Sequence, residues 1–207
     1  MKLRMASLTI LCLALAAIPA SAQYNNGPIN GTTDAWTIDF GYVVSDSFTG
    51  VESPYQLQFG VWEFPGDSMT SVDWSITSAE NGGTIYGSAT AKTTDHFVSS
   101  NQYGYNIDLI TANMSVSLNY ANTYWLNLQN AVVPSGDPVY WDENSGPSSA
   151  SESAVGTIPS EAFTISGSCG AGSSSPDCGP PTPEPGSILL LGSGILGSVA
   201  ALRRKLL

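Results

Sequence analysis

Between residues 37 and 77 apolar and polar residues alternate with a period of two, and no other feature of the chain restricts its fold as much. Ile38, Phe40, Tyr42 and Val44 share one parity, with Thr37, Asp39 and Gly41 on the other. Tyr55, Leu57, Phe59 and Val61 repeat the pattern around Gln56 and Gln58. Val72, Trp74 and Ile76 repeat it among Ser71, Asp73, Ser75 and Thr77. A helix needs apolar residues three and four apart, whereas a period of two sets one side of a strand on a core and the other in water. The burial of Trp74 with Val72 and Ile76 follows. Pro65-Gly66-Asp67 and Asn81-Gly82-Gly83 supply turns between the runs. Further strands are expected at 84–91, 105–118, 123–130 and 162–166. A parity change between Leu109 and Met114 calls for a bulge or turn at 111–113, and 119–122 reads as a hairpin turn. Seven or eight short strands without a helical period predict an all-β fold: an antiparallel β-sandwich, jelly-roll or immunoglobulin-like, over residues 23–166.

Charge divides the chain differently. The bases are Lys2, Arg4, Lys92, Arg203, Arg204 and Lys205, so all but Lys92 lie at the ends, while the 17 acids lie between Asp34 and Glu184. A formal charge of −11 argues against nucleic acid, whose affinity rests on Lys and Arg at phosphates. The N-terminal 1–22 reads as a secretory signal helix. Lys2 and Arg4 precede the apolar run 8–18, Pro19 breaks it, and Ala20-Ser21-Ala22 is a small-x-small site with cleavage between Ala22 and Gln23. The secretion translocon and signal peptidase are the implied partners. Cleavage removes Cys12 and leaves Cys169 and Cys178, a pair expected to form a disulfide in an oxidising compartment. Residues 167–182, rich in Ser, Gly and Pro, read as a linker.

Residues 187–202 hold no charge and are expected to form a transmembrane helix, about 24 Å long against a hydrocarbon core of ~30 Å. Arg203-Arg204-Lys205 then stops transfer and keeps the end in the cytoplasm. The Gly192-Ser193-Gly194-Ile195-Leu196-Gly197 run has dinucleotide-loop spacing but no βαβ context and no acid downstream, so it carries no nucleotide reading.

Just before the span stands Pro183-Glu184-Pro185-Gly186. That motif, the apolar helix and the basic end together resemble the PEP-CTERM sorting-domain family over 183–207, a tail also catalogued as an ice-binding protein C-terminal domain. The resemblance implies that exosortase, an integral-membrane processing enzyme, is a partner. It also implies an exported protein, first anchored in the inner membrane with the β domain outside the cytoplasm, then at the cell surface or extracellular. The family occurs in bacteria that make exopolysaccharide, which becomes a candidate partner.

The middle of the chain offers little for catalysis. His96, the single histidine, neighbours Asp95 along the chain, where successive side chains of a strand point apart. Asp142 and Glu143 are adjacent and cannot flank a substrate as paired glycosidase carboxylates do. Asp142, Asn144, Asp67 and Asp137 are hard oxygen donors, but the calcium-loop pattern is not matched because Gly146 falls at the third ligand position. No catalytic residue, metal or cofactor is expected. Trp62 and Trp125 lie on the parity opposite their core-facing neighbours, so either can stack on a sugar ring or carry a second packed layer. Two readings result: a non-enzymatic cell-surface or extracellular-matrix protein, or a carbohydrate-binding module acting on exopolysaccharide.

Overall fold

The computed structural model describes residues 21–168, and these are all-β. The strands are β1 (Ser21–Asn25), β2 (Ala35–Thr37), β3 (Val44–Phe48), β4 (Ser53–Glu63), β5 (Ser71–Ala79) and β6 (Gly82–Ser100). They continue with β7 (Asn106–Asn113), β8 (Tyr124–Val132), β9 (Tyr140–Asp142), β10 (Ala150–Glu152), β11 (Gly156–Ile158) and β12 (Phe163–Ser168). The ladder runs β1-β12-β4-β7-β6-β5-β8-β3-β10-β11, with β9 joining β2 to β4. Every pairing is antiparallel. The sheet curls into a half-barrel, and no helix occurs among the described residues.

β6 makes the ladder continuous. Its first half, to Lys92, pairs with β5, and from Thr93 onward it pairs with β7. Its sequence gave no alternation beyond 91 because it buries only Ala91 of its 19 residues. The two halves share one core. Leu57, Phe59 and Val61 of β4, Val72, Trp74 and Ile76 of β5, Ile110 of β7, and Leu126 and Leu128 of β8 belong to a single buried cluster. Trp141 closes it, edge-on to Phe59 at 6.1 Å and to Phe163 at 5.7 Å, with its indole N–H donated to the Ala162 carbonyl.

Two expectations change. The alternation at 37–44 is not a strand, since β2 ends at Thr37 and β3 begins at Val44. Phe40 and Gly41 take left-handed φ values of 51° and 87°, and the Tyr42 N–H closes a turn on the Asp39 carbonyl. This turn leaves Phe40 and Tyr42 exposed. The 105–118 run ends as a strand at Asn113, where the parity change fell. The 119–122 turn is closed by the Asn122 N–H on the Asn119 carbonyl.

β1 and β12 bring the ends of the described chain together, Ser21 facing Ser168 and Ala22 facing Gly167. β12 therefore extends two residues past 166. The signal segment before Ser21, the Cys169–Cys178 pair, the rest of the linker, Pro183-Glu184-Pro185-Gly186, the 187–202 span and Arg203-Arg204-Lys205 lie outside the described residues. Among the described residues no helix is long and apolar enough to cross a membrane.

Candidate functional site

Trp62 lies on the parity opposite the core-facing residues of β4, and of the two roles open to it the second packed layer is present. Residues 26–34 lie across β4, and Gly60 permits this close approach: a Cβ there would meet Ile29 Cγ1 at 2.8 Å. Asn144 Nδ2 holds the start of the segment by donating to the Asn26 carbonyl at 2.9 Å. Asp142 holds its middle. The Asp142 carboxylate is fully buried and accepts from Asn30 N at 2.6 Å, Gly31 N at 2.8 Å and Trp62 Nε1 at 2.6 Å. Burial still raises its carboxyl above the ordinary range, against the lowering by those three donors. Asp142 is thus an anchor for a loop and an indole, and Glu143 likewise accepts the Trp36 indole N–H at 3.1 Å.

Trp62 is 6% exposed, and its remaining accessible edge faces a cleft of about 380 Å³ lined by Thr33, Asp34, Ala35, Trp62, Tyr103, Tyr105 and Tyr140. Each wall has a local cause. Tyr140 of β9 is the cross-strand partner of Trp62. Tyr103 and Tyr105 come from the turn joining β6 to β7, which folds around Asn101. The Asn101 side-chain carbonyl accepts from both Tyr103 N and Tyr105 N at 3.0 Å, and Gly104 takes a φ of 88°. Tyr103 then stacks on Trp62, centroids 5.7 Å apart and planes 21° apart. Tyr105 meets Tyr140 edge-on at 5.7 Å and Phe64 at 4.9 Å.

The cleft offers flat apolar faces with a polar edge, and its size falls within that of small-ligand sites. Tyr140 is pushed up to about 12, by burial first and then by Tyr105, so its hydroxyl remains a neutral hydrogen-bond donor. Asp34 is the only carboxylate among the lining residues, so the cleft has no pair of carboxylates facing each other across it.

The predicted aromatic pair is not brought together. Trp62 is in the cleft, whereas Trp125 lies on β8, opposite Ser47 of β3 and Thr77 of β5, and is half-buried. Tyr103, Tyr105 and Tyr140 were missed; only their aromatic character signalled them, because their meeting depends on loop closure. His96 is exposed. Among the described residues no group of three acidic, histidine or cysteine side chains is already gathered closely enough to hold a metal ion. Of the signal-cleavage pair, Ala22 and Gln23 are the second and third residues of β1.

No curated protein matches the chain. Residues 181–205 match the family model of the PEP-CTERM protein-sorting motif, which covers the Pro183-Glu184-Pro185-Gly186 segment, the apolar run and the basic cluster. The chain thus carries a PEP-CTERM sorting motif, the mark of an exported, exosortase-targeted protein.

Proposed function

We propose that this is a non-enzymatic cell-surface or extracellular-matrix protein, delivered by its tail and retained near exopolysaccharide. The observation that carries the reading is the sorting motif at 181–205. An all-β domain and a cleft with a single carboxylate on its wall are in keeping with a structural or binding role. In this reading signal peptidase cuts between Ala22 and Gln23, and Cys169 and Cys178 pair outside the cell. The 187–202 helix holds the chain in the inner membrane with the sandwich-like domain, jelly-roll or immunoglobulin-like in type, outside. Exosortase then acts beside Pro183-Glu184-Pro185. A span of about 24 Å, rich in glycine and serine, suits a segment that is released better than one that anchors for good. The test compares the mass and location of the protein in cells with and without exosortase. A shortened C-terminus and surface location only in exosortase-positive cells is the expected result. An intact C-terminus with the same distribution in both would make the tail an ordinary anchor.

The cleft supports a second reading, a carbohydrate-binding module for neutral segments of exopolysaccharide. Tyr103 stacked on Trp62 presents an aromatic face 56% exposed on the tyrosine, suited to the C–H face of a sugar ring. Tyr103→Ala should weaken binding of a neutral oligosaccharide by about three- to tenfold in calorimetry, the worth of one aromatic contact. Trp125→Ala should leave it unchanged. Binding that survives Tyr103→Ala at full strength removes this reading.

A further inference from the structure

The wall of the aromatic cleft carries one charged side chain. Asp34 stands there, exposed, in the company of Trp62, Tyr103, Tyr105 and Tyr140. No base lines the cleft, and Lys92 is the only lysine or arginine among the described residues. The face of an aromatic ring is itself the negative side of its quadrupole. A carboxylate set among such rings, with no base to offset it, favours a cation over a neutral or anionic group.

Both parts of the wall are fixed before any ligand arrives. The Asp34 carbonyl accepts from Glu143 N at 3.0 Å, and its Oδ1 accepts from Ala35 N at 2.9 Å, which leaves Oδ2 open to a ligand. Ala35 is itself paired with Asp142 across β2 and β9. The Asn30 side chain braces the residues just before, accepting from the Thr32 hydroxyl and donating to Thr33 Oγ1. The rings are set by other contacts. Trp62 gives its indole N–H to Asp142 at 2.6 Å, so that donor is already used and the ring has only its π-system to offer. Tyr103 and Tyr105 lie 5.7 and 5.9 Å from it, with planes at 21° and 41°. Tyr105 stands at 78° to Tyr140. Rings at such different angles offer π faces in more than one direction, and a cation is attracted within ~6 Å of a ring centroid. A site held this firmly loses little freedom on binding.

We propose that the cleft selects a sugar carrying a protonated amino group, a de-N-acetylated hexosamine, over the same sugar in its neutral N-acetylated form, and that Asp34 is the residue that discriminates. This rests on the carbohydrate reading of the cleft and adds a charge to what that reading asks of the sugar. The C–H face of the ring stacks on the exposed Tyr103, while the ammonium donates to Asp34 Oδ2 and lies against the neighbouring π-systems. N-acetylation removes the positive charge and sets a neutral amide before Asp34. A neutral sugar keeps the stacking contact alone and binds more weakly. A quaternary ammonium such as choline has the charge but no N–H for Asp34 and no ring for Tyr103.

The test is calorimetry on the full chain in mild detergent, at a mildly acidic pH that keeps a hexosamine amine protonated. The probes are a glucosamine oligomer and the N-acetylglucosamine oligomer of the same length and linkage. The amine form should bind about tenfold more tightly, the combined worth of one exposed ion pair and one cation–π contact. Asp34→Asn should weaken the amine form alone and bring the two sugars level. Asp137→Asn, at an exposed acid outside the cleft, should leave the preference intact, which separates the site from general attraction to an acidic protein. Added salt should weaken the amine form and spare the neutral one. Equal binding of both sugars by the wild type overturns this proposal and leaves the carbohydrate reading standing, whereas binding of neither removes both. A preference that survives Asp34→Asn, or that falls as far with Asp137→Asn, also overturns it. Choline chloride binding as tightly as the glucosamine oligomer would make the cleft a cage for ammonium alone and overturn the choice of a sugar.

Discussion

Glu63→Gln should stabilise the domain, and by an amount that depends on pH. An ordinary glutamate titrates near 4.5, while burial, reinforced by Asp95, Asp108 and Asp67, raises Glu63 to about 8. The folded state therefore keeps a proton that the unfolded chain has already lost. Stability from this group is fully present below 4.5 and is lost as pH rises through 8. At pH 7 about two and a half pH units of that interval have been crossed, or about 3 kcal/mol at 1.36 kcal/mol per unit. Glu63 lies at one end of the core beside half-buried acids, and solvent screening there brings the expected effect to about 2 kcal/mol. Glutamine copies the neutral, protonated side chain, so the two proteins should be equally stable at pH 4. Urea unfolding at pH 4 and pH 7, with midpoints converted at a common slope, measures the difference. A variant less stable than wild type at pH 7, or a difference of the same size at both pH values, would refute the reasoning.

Trp74→Ala should cost about 3–5 kcal/mol in the same assay, since the side chain is 4% exposed and truncation leaves a large cavity; a loss below about 1 kcal/mol would place it outside the core. Asp142→Ala strands two buried donors and the part-buried Asn30 N–H and should destabilise by about 3 kcal/mol, with a red shift of tryptophan emission as Trp62 loosens; an unshifted spectrum contradicts the anchoring role. N-terminal sequencing of the exported protein should begin at Gln23, and Met1 there would exclude a cleaved signal. Neutral residues at Arg203, Arg204 and Lys205 should weaken membrane retention, read by fractionation; unchanged retention argues against a stop-transfer role.

What alternation could announce was decided by how many faces of a strand meet the same neighbour. Leu57, Phe59, Val61 and Val72, Trp74, Ile76 were legible because each set faces one core continuously. Phe40 and Tyr42 have the same spacing, yet backbone at positive φ turns them out to solvent, and a period of two carries no information about φ. β6 was half hidden because a strand that buries little has no reason to alternate. The cleft and the neighbours of Glu63 were hidden for a different reason. Asp142 and Trp62 are 80 residues apart in sequence, and Glu63 reaches its neighbours through strand pairing. The second packed layer expected as one role for Trp62 is present, but local parity does not say that residues 26–34 supply it. The sorting tail, by contrast, is contiguous, so its order of motif, apolar run and basic cluster was readable in full.

The pairing of Ser21 with Ser168 has a mechanical consequence. Because β1 and β12 are antiparallel, the chain enters and leaves the folded unit at the same end of that ladder. Tension applied between the two ends loads one hydrogen-bonded pair at a time and opens β1 from β12 like a zip. It does not shear the whole row at once, so resistance is low in that direction. Under the proposed cleavage before Gln23 the loading would change. The N-terminal end is then free, and tension transmitted from the C-terminal side reaches β12, which is flanked by β1 and by β4. Extracting β12 breaks two ladders together. In the proposed reading, with the first residues trimmed and the tail held, a pull would load the domain through its doubly paired strand, and the weaker direction would no longer be available.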